Sequence, residues 1–190
     1  IPVINGLSDF SHPCQALADV YTVKEKLKEL KGAVLAYVGD GNNVCNSLLF
    51  VCSKTGMNMN LGVPKGYEPE KKALKLAREI AGSSGSKINL FYDSRQAAQN
   101  ADVIYTDVWT SMGQEKEAQK RKKIFKSFQV NKNLLSLAKD GCLVMHCLPA
   151  HRGEEITDEV IDSKNSVVFD QAENMMHVQK AILIKLLGDR

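Results

Sequence analysis

Four short clusters hold most of the side chains able to do chemistry. Ser11-His12-Pro13-Cys14-Gln15 opens a helix, with Ser11 a suitable cap and Pro13 tolerated in the first turn. His12 and Gln15, three residues apart, share one helical face, where one donates or relays a proton and the other bonds an amide. A plain capping or packing histidine fits the same position. Gly39-Asp40-Gly41-Asn42-Asn43-Val44 joins an apolar run to a helix start. It falls short of a dinucleotide fingerprint, because Val44 stands where a third small residue belongs. Asn42 and Asn43 can satisfy the free N–H groups of that helix, or offer amide donors and acceptors to a zwitterion at its positive end. In Asp107-Val108-Trp109-Thr110-Ser111-Met112-Gly113, the acid suits an ammonium partner and the glycine a hinge. An Asp N-cap over a buried Trp109 is the alternative. His146-Cys147-Leu148-Pro149-Ala150-His151-Arg152-Gly153 admits three readings. Zinc fits the Cys142, His146, Cys147, His151 spacing poorly, since adjacent strand residues point to opposite faces. Cys147 with His151 matches no acyl-transfer motif. The third reading makes Cys147 a thiol lining a pocket, set against a buried structural cysteine.

The elements that must position these clusters alternate along the chain. Strand-like runs fall at 33–38, 57–63, 87–92, 103–106, 142–146 and 166–169. Helical candidates lie at 12–30, 44–55, 69–82, 94–100, 115–128, 131–139, 157–163 and 174–187. The last carries Met176, Ala181, Leu183, Ile184 and Leu187 near helical spacing, with Lys180 and Lys185 off that face. This alternation predicts an α/β fold: a doubly wound, mainly parallel sheet with helices on both faces, a Rossmann-like three-layer domain. Ligands in such sheets bind outside the carboxyl ends of the strands, where three of the four clusters fall. Gly82-Ser83-Ser84-Gly85-Ser86 reads as a tight αβ connection, and residues 115–123 as a solvated helix face.

Composition narrows the classes of function. At 190 residues the chain fits one domain, and 44% hydrophobic with 25% charged residues is globular composition. A net charge of +3 and only 6% aromatics argue against a nucleic-acid partner. No apolar run approaches the ~20 residues of a membrane span. Five cysteines form an odd set without a secretory signal ahead of them, which predicts reduced thiols in a cytoplasmic protein. The opening Ile1-Pro2-Val3-Ile4, without Met, reads as a piece of a longer protein.

Taken together and in order, His12-Pro13-Cys14-Gln15, Gly39-Asp40-Gly41-Asn42-Asn43, Asp107-x-Trp109-x-Ser111-Met112-Gly113 and His146-Cys147-Leu148-Pro149 resemble the ornithine carbamoyltransferase family. Ala172-Glu173-Asn174 extends the likeness to nearly the whole chain. The resemblance implies carbamoyl transfer from carbamoyl phosphate to the δ-amine of L-ornithine, giving citrulline and phosphate, with no metal or organic cofactor. It implies that His12 polarises the carbamoyl oxygen and Gln15 bonds the carbamoyl amide. Asn43, Asp107, Ser111 and Met112 would hold ornithine, Cys147 would lie beside the δ-amine, and Leu148 would offer backbone to the substrates. The family's Ser-Thr-Arg-Thr phosphate motif is absent. Residues 1–190 therefore look like the ornithine-binding half, with the junction to an N-terminal domain near 1–12 and a homotrimer expected of the full-length enzyme. Where the family usually carries Arg after Ala-Glu-Asn this chain has Met175, and Arg152 is a candidate substitute cation. Two rivals remain: a non-catalytic amino-acid-binding module, or a carbamoyltransferase acting on a related amine. A nucleotide-binding domain rests on the partial glycine pattern alone.

Overall fold

The computed structural model describes residues 1–111 and 113–188. Five strands, β1 (Val34–Val38), β2 (Asn58–Gly62), β3 (Ile88–Phe91), β4 (Val103–Thr106) and β5 (Leu143–His146), form one sheet in the order β3-β2-β1-β4-β5. Every pairing is parallel. Parallel strands need helical crossovers, and these cover both faces. Leu35, Tyr37, Met59, Leu61 and Tyr105 pack on one side against α1 (Pro13–Leu27), α2 (Asn43–Thr55) and α3 (Lys71–Ser84). Ala36, Val38, Ile104 and Val144 pack on the other against α4 (Ser94–Ala98), α6 (Lys132–Leu135) and α7 (Asp158–Ile161). Period-2 alternation in strands buried on both faces thus produces three layers, as expected.

Local sequence sets the helix ends. Pro13 occupies the first turn of α1, and Asn42 caps α2 by accepting the Cys45 N–H at 3.1 Å. Gly56, at φ 77°, ends α2 in the left-handed conformation that glycine takes without a Cβ penalty. Gly41 is fixed by close approach instead. A Cβ there would sit 2.2 Å from the Pro69 nitrogen, so the loop after β1 can lie against 67–69 only with glycine.

Register decides what the sheet does. Val38 is level with both Gly62 and Thr106, and Thr106 with His146. The next residues, Gly39, Asp107 and Cys147, therefore emerge side by side at the carboxyl edge. The order reverses between β1 and β4, the position where doubly wound sheets open a crevice.

Two expectations are corrected. Residues 166–169 do not form a sixth strand: Ser166 makes a single bridge to Val144, and α8 (Val168–Leu187) has already begun. In place of a backbone ladder, the Gln171 side chain of α8 accepts the His146 N–H at 3.0 Å. The span 115–128 is not one helix but α5 (Ala118–Phe125) between two short 3₁₀ turns. The far half of α8 leaves the domain uncovered, with Ile184 72% and Leu187 57% exposed. Among the described residues no helix is long and apolar enough to cross a membrane.

Candidate active site

Three neighbouring strand ends assemble one hydrogen-bonded cluster. Asp107, after β4, is 6% exposed. Its Oδ2 accepts the Asn42 side-chain amide at 2.7 Å, and its Oδ1 accepts the Val108 N–H at 2.8 Å and the Cys147 thiol at 3.0 Å. Asn42 cannot turn round, because its Oδ1 already takes the Cys45 N–H and the Tyr37 hydroxyl. Burial, then the adjacent Asp107 charge, push the Cys147 thiol well above its ordinary pKa. Cys147 is therefore a protonated donor to Asp107 at neutral pH and not a nucleophile. His151 is exposed and turned to Glu155, so no Cys–His dyad forms.

His12 sits at the start of α1. Its backbone N–H donates to the Ser47 hydroxyl at 2.7 Å, and Ser47 in turn donates to the Asn43 carbonyl at 2.9 Å. Burial holds the imidazole below its ordinary pKa, partly opposed by a hydrogen bond with the Gly6 backbone and then by the negative charge of Asp107. A neutral imidazole is suited to polarising a carbonyl oxygen without carrying a second proton. Gln15 is buried, and its amide nitrogen donates to Asp19 at 2.8 Å. Asn43 donates to the Ser8 carbonyl at 2.8 Å.

A cleft of about 1040 Å³ opens over the β1 and β4 ends. Asn42, Asn43 and Ser111 line it; His12, Gln15, Asp107 and Cys147 do not, but Asn42 joins it to Asp107, and Asn43 joins it to His12 through Ser47. Its charged lining is mostly acidic, with Asp9, Asp40, Glu68, Glu70 and Glu117 against Lys120 and Arg121, which suits a ligand bearing ammonium groups. Met112 lies outside the described residues. Leu148 holds φ 59° because its N–H turns back to His146 Nδ1 at 2.8 Å, while His146 Nε2 faces the buried Glu155 at 3.1 Å. Asp107, His146 and Cys147 bring ligand-type atoms within 4.8 Å of one another, but both His146 nitrogens are already engaged, so this set is not open to a metal.

Arg121 was invisible as a site element, lying in the charge run read as solvated. It is 4% exposed, bonds the Asp40 carboxylate and the Trp109 carbonyl, and lies over the Tyr67 ring at 4.8 Å. It thereby ties the loop after β4 to the loop after β1. The placement of Asp40 two residues past the end of an apolar strand was the available signal. Arg152 is no substitute cation poised over the cluster, since Asp158 and Asp162 hold its guanidinium at 2.6–2.8 Å. Met175 is half-buried on α8.

Comparison with known proteins gives the same direction. Residues 31–186 match the family described as "Aspartate/ornithine carbamoyltransferase, Asp/Orn binding domain". The chain is 60% identical over 188 residues to the ornithine carbamoyltransferase of Pyrococcus horikoshii, covering 99% of this chain and 59% of that protein. It superposes on the ornithine carbamoyltransferase structure from Pyrococcus furiosus with a TM-score of 0.97 at 57% identity, covering all of this chain and 61% of that one. The Giardia lamblia ornithine transcarbamoylase structure, at 36% identity, still gives a TM-score of 0.91, covering all of this chain and 64% of that one. The chain thus spans about three-fifths of the length of the relatives it matches. With the family match covering most of the sequence and the strand-end cluster in place, the chain belongs to the aspartate/ornithine carbamoyltransferase family.

Proposed function

We propose that this chain is the ornithine-binding half of an ornithine carbamoyltransferase, which moves the carbamoyl group of carbamoyl phosphate to the δ-amine of L-ornithine. The amine nitrogen bonds the carbamoyl carbon, the carbon–oxygen bond to phosphate breaks, and citrulline, phosphate and the amine proton leave. The observation that carries this reading is Asp107, a buried carboxylate held by Asn42 and Cys147 where two strands diverge. Attack requires a neutral amine, whose reference pKa is about 10.4, and desolvation in a closed site lowers it. Asp107 orients that amine, Asn42, Asn43, Ser111 and Met112 bind the rest of the amino acid, and Leu148 contributes backbone. His12 stabilises charge developing on the carbamoyl oxygen, and Gln15 bonds the carbamoyl amide. Holding both substrates in register supplies the entropic part of the acceleration.

The partner of this half is an N-terminal domain, joined near residues 1–12, that carries the phosphate cradle. The exposed apolar residues Phe169, Ile184 and Leu187 of α8 support such cover. The full-length protein is a homotrimer, and five unpaired thiols suit the cytoplasm. Calorimetric titration of the full-length protein with L-ornithine, carbamoyl phosphate being held in excess by a non-reacting analogue, tests the reading. It predicts ornithine binding that is lost in Asp107→Ala; no heat with ornithine would exclude it.

A further inference from the structure

Gln15 is a candidate whose chemistry depends on which way its amide faces. Asp19, four residues on and so on the same face of α1, is wholly buried. Its Oδ1 accepts the Gln15 amide nitrogen at 2.8 Å and the Gln171 amide nitrogen at 2.7 Å. The orientation of Gln171 is fixed independently, because its own oxygen accepts the His146 backbone N–H of β5. A backbone N–H can only donate, so the Gln171 nitrogen must face Asp19. Asp19 Oδ2 has no partner. A bare buried carboxylate oxygen is costly, whereas an acid protonated there still accepts through Oδ1.

The consequence falls on Gln15. An acceptor fixed from the sheet takes its nitrogen, so its oxygen is the end left for a ligand. Resting on the carbamoyl-transfer reading above, we propose that Asp19 is a positioning residue that holds the Gln15 amide with Oε1 presented to the carbamoyl group. The protein then selects its donor by that donor's NH₂, which an amide oxygen can bond, and not by its carbonyl. Without Asp19, the amide turns freely and offers either end.

Acetyl phosphate tests this, since it has a methyl group where carbamoyl phosphate has NH₂. The measured quantity is the ratio of the acetyl phosphate inhibition constant to the carbamoyl phosphate KM in the full-length protein. Asp19→Leu, which fills the space but accepts nothing, lowers this ratio roughly tenfold and leaves the ornithine KM within twofold. Asp19→Asn keeps an acceptor oxygen and holds the ratio near the wild-type value. A folded leucine variant with an unchanged ratio, or an asparagine variant that loses it, overturns the proposal. Independently of any variant, the Gln15 side-chain NH₂ of the wild type exchanges slowly with solvent by NMR; fast exchange also overturns it. If the wild type makes no citrulline at all, the functional reading itself fails, whereas turnover with an Asp19-independent ratio removes only this inference.

Discussion

Replacing Asp107 with asparagine separates charge from shape at the centre of the site. The variant keeps one oxygen but puts an NH₂ where the second stood. Oδ1 can go on accepting from Val108 and Cys147, which leaves the new NH₂ facing the Asn42 amide nitrogen, two donors head to head. Asn42 cannot flip to relieve this without giving up the Cys45 N–H and the Tyr37 hydroxyl. One buried bond is therefore lost, costing about 1–3 kcal/mol of stability. The larger effect is on ornithine. A charge-assisted bond to the amine contributes ~1.5–3 kcal/mol, so kcat/KM for ornithine falls roughly ten- to a hundredfold. Steady-state citrulline formation by the full-length protein, with each substrate varied in turn, reads this directly, and thermal unfolding reads the stability loss. A drop in melting temperature with unchanged ornithine kinetics would refute the reasoning and reduce Asp107 to a loop cap.

Other outcomes follow from the same contacts. Cys147→Ser keeps a donor to Asp107, so it weakens ornithine use only severalfold, and the wild-type thiol reacts slowly with iodoacetamide at pH 7; rapid alkylation would contradict the protonated donor. Arg121→Leu strands the buried Asp40 and frees the Trp109 carbonyl, destabilising by about 3–5 kcal/mol in chemical denaturation. Burial, opposed by its amide partners, raises the Asp19 pKa to about 7, so the folded state holds a proton that the unfolded chain has already released. That contribution is complete below about pH 4 and is lost as pH rises towards 7, which predicts a steeper fall in stability from pH 4 to 7 for wild type than for Asp19→Asn. Met175→Arg in the full-length protein lowers the carbamoyl phosphate KM roughly tenfold with ornithine unchanged; a lower melting temperature with no kinetic gain would show that Met175 packs away from the site. The isolated 190-residue chain folds as a monomer with little or no citrulline synthesis, checked by sedimentation and product assay.

What the sequence disclosed and what it hid follow from the range of the interactions. The strands were legible because each is a short apolar run buried on both faces, and three of the four clusters fell at strand ends because parallel sheets put loops there. Val167-Val168-Phe169 misled because β-branched and aromatic residues favour strands, while the backbone there bonds the sheet only at Val144 and the side chain of Gln171, two residues on, takes the next N–H of β5. Arg121 misled because a charge run gives no sign of which member turns inward, and its partners Asp40 and Trp109 are remote in sequence. Asp19 escaped the sequence analysis because four-residue spacing from Gln15 does not disclose burial, and its other partner, Gln171, is 152 residues away.

The central claim is carbamoyl transfer to ornithine, and product identification tests it most directly. The full-length protein is to be incubated with carbamoyl phosphate and equimolar L-ornithine, L-aspartate and putrescine, and the carbamoylated products separated and quantified by mass spectrometry. The account predicts citrulline as the dominant product, falling sharply in Asp107→Asn. Carbamoyl-aspartate or carbamoyl-putrescine in excess, or no carbamoylated product from the folded protein, would contradict it.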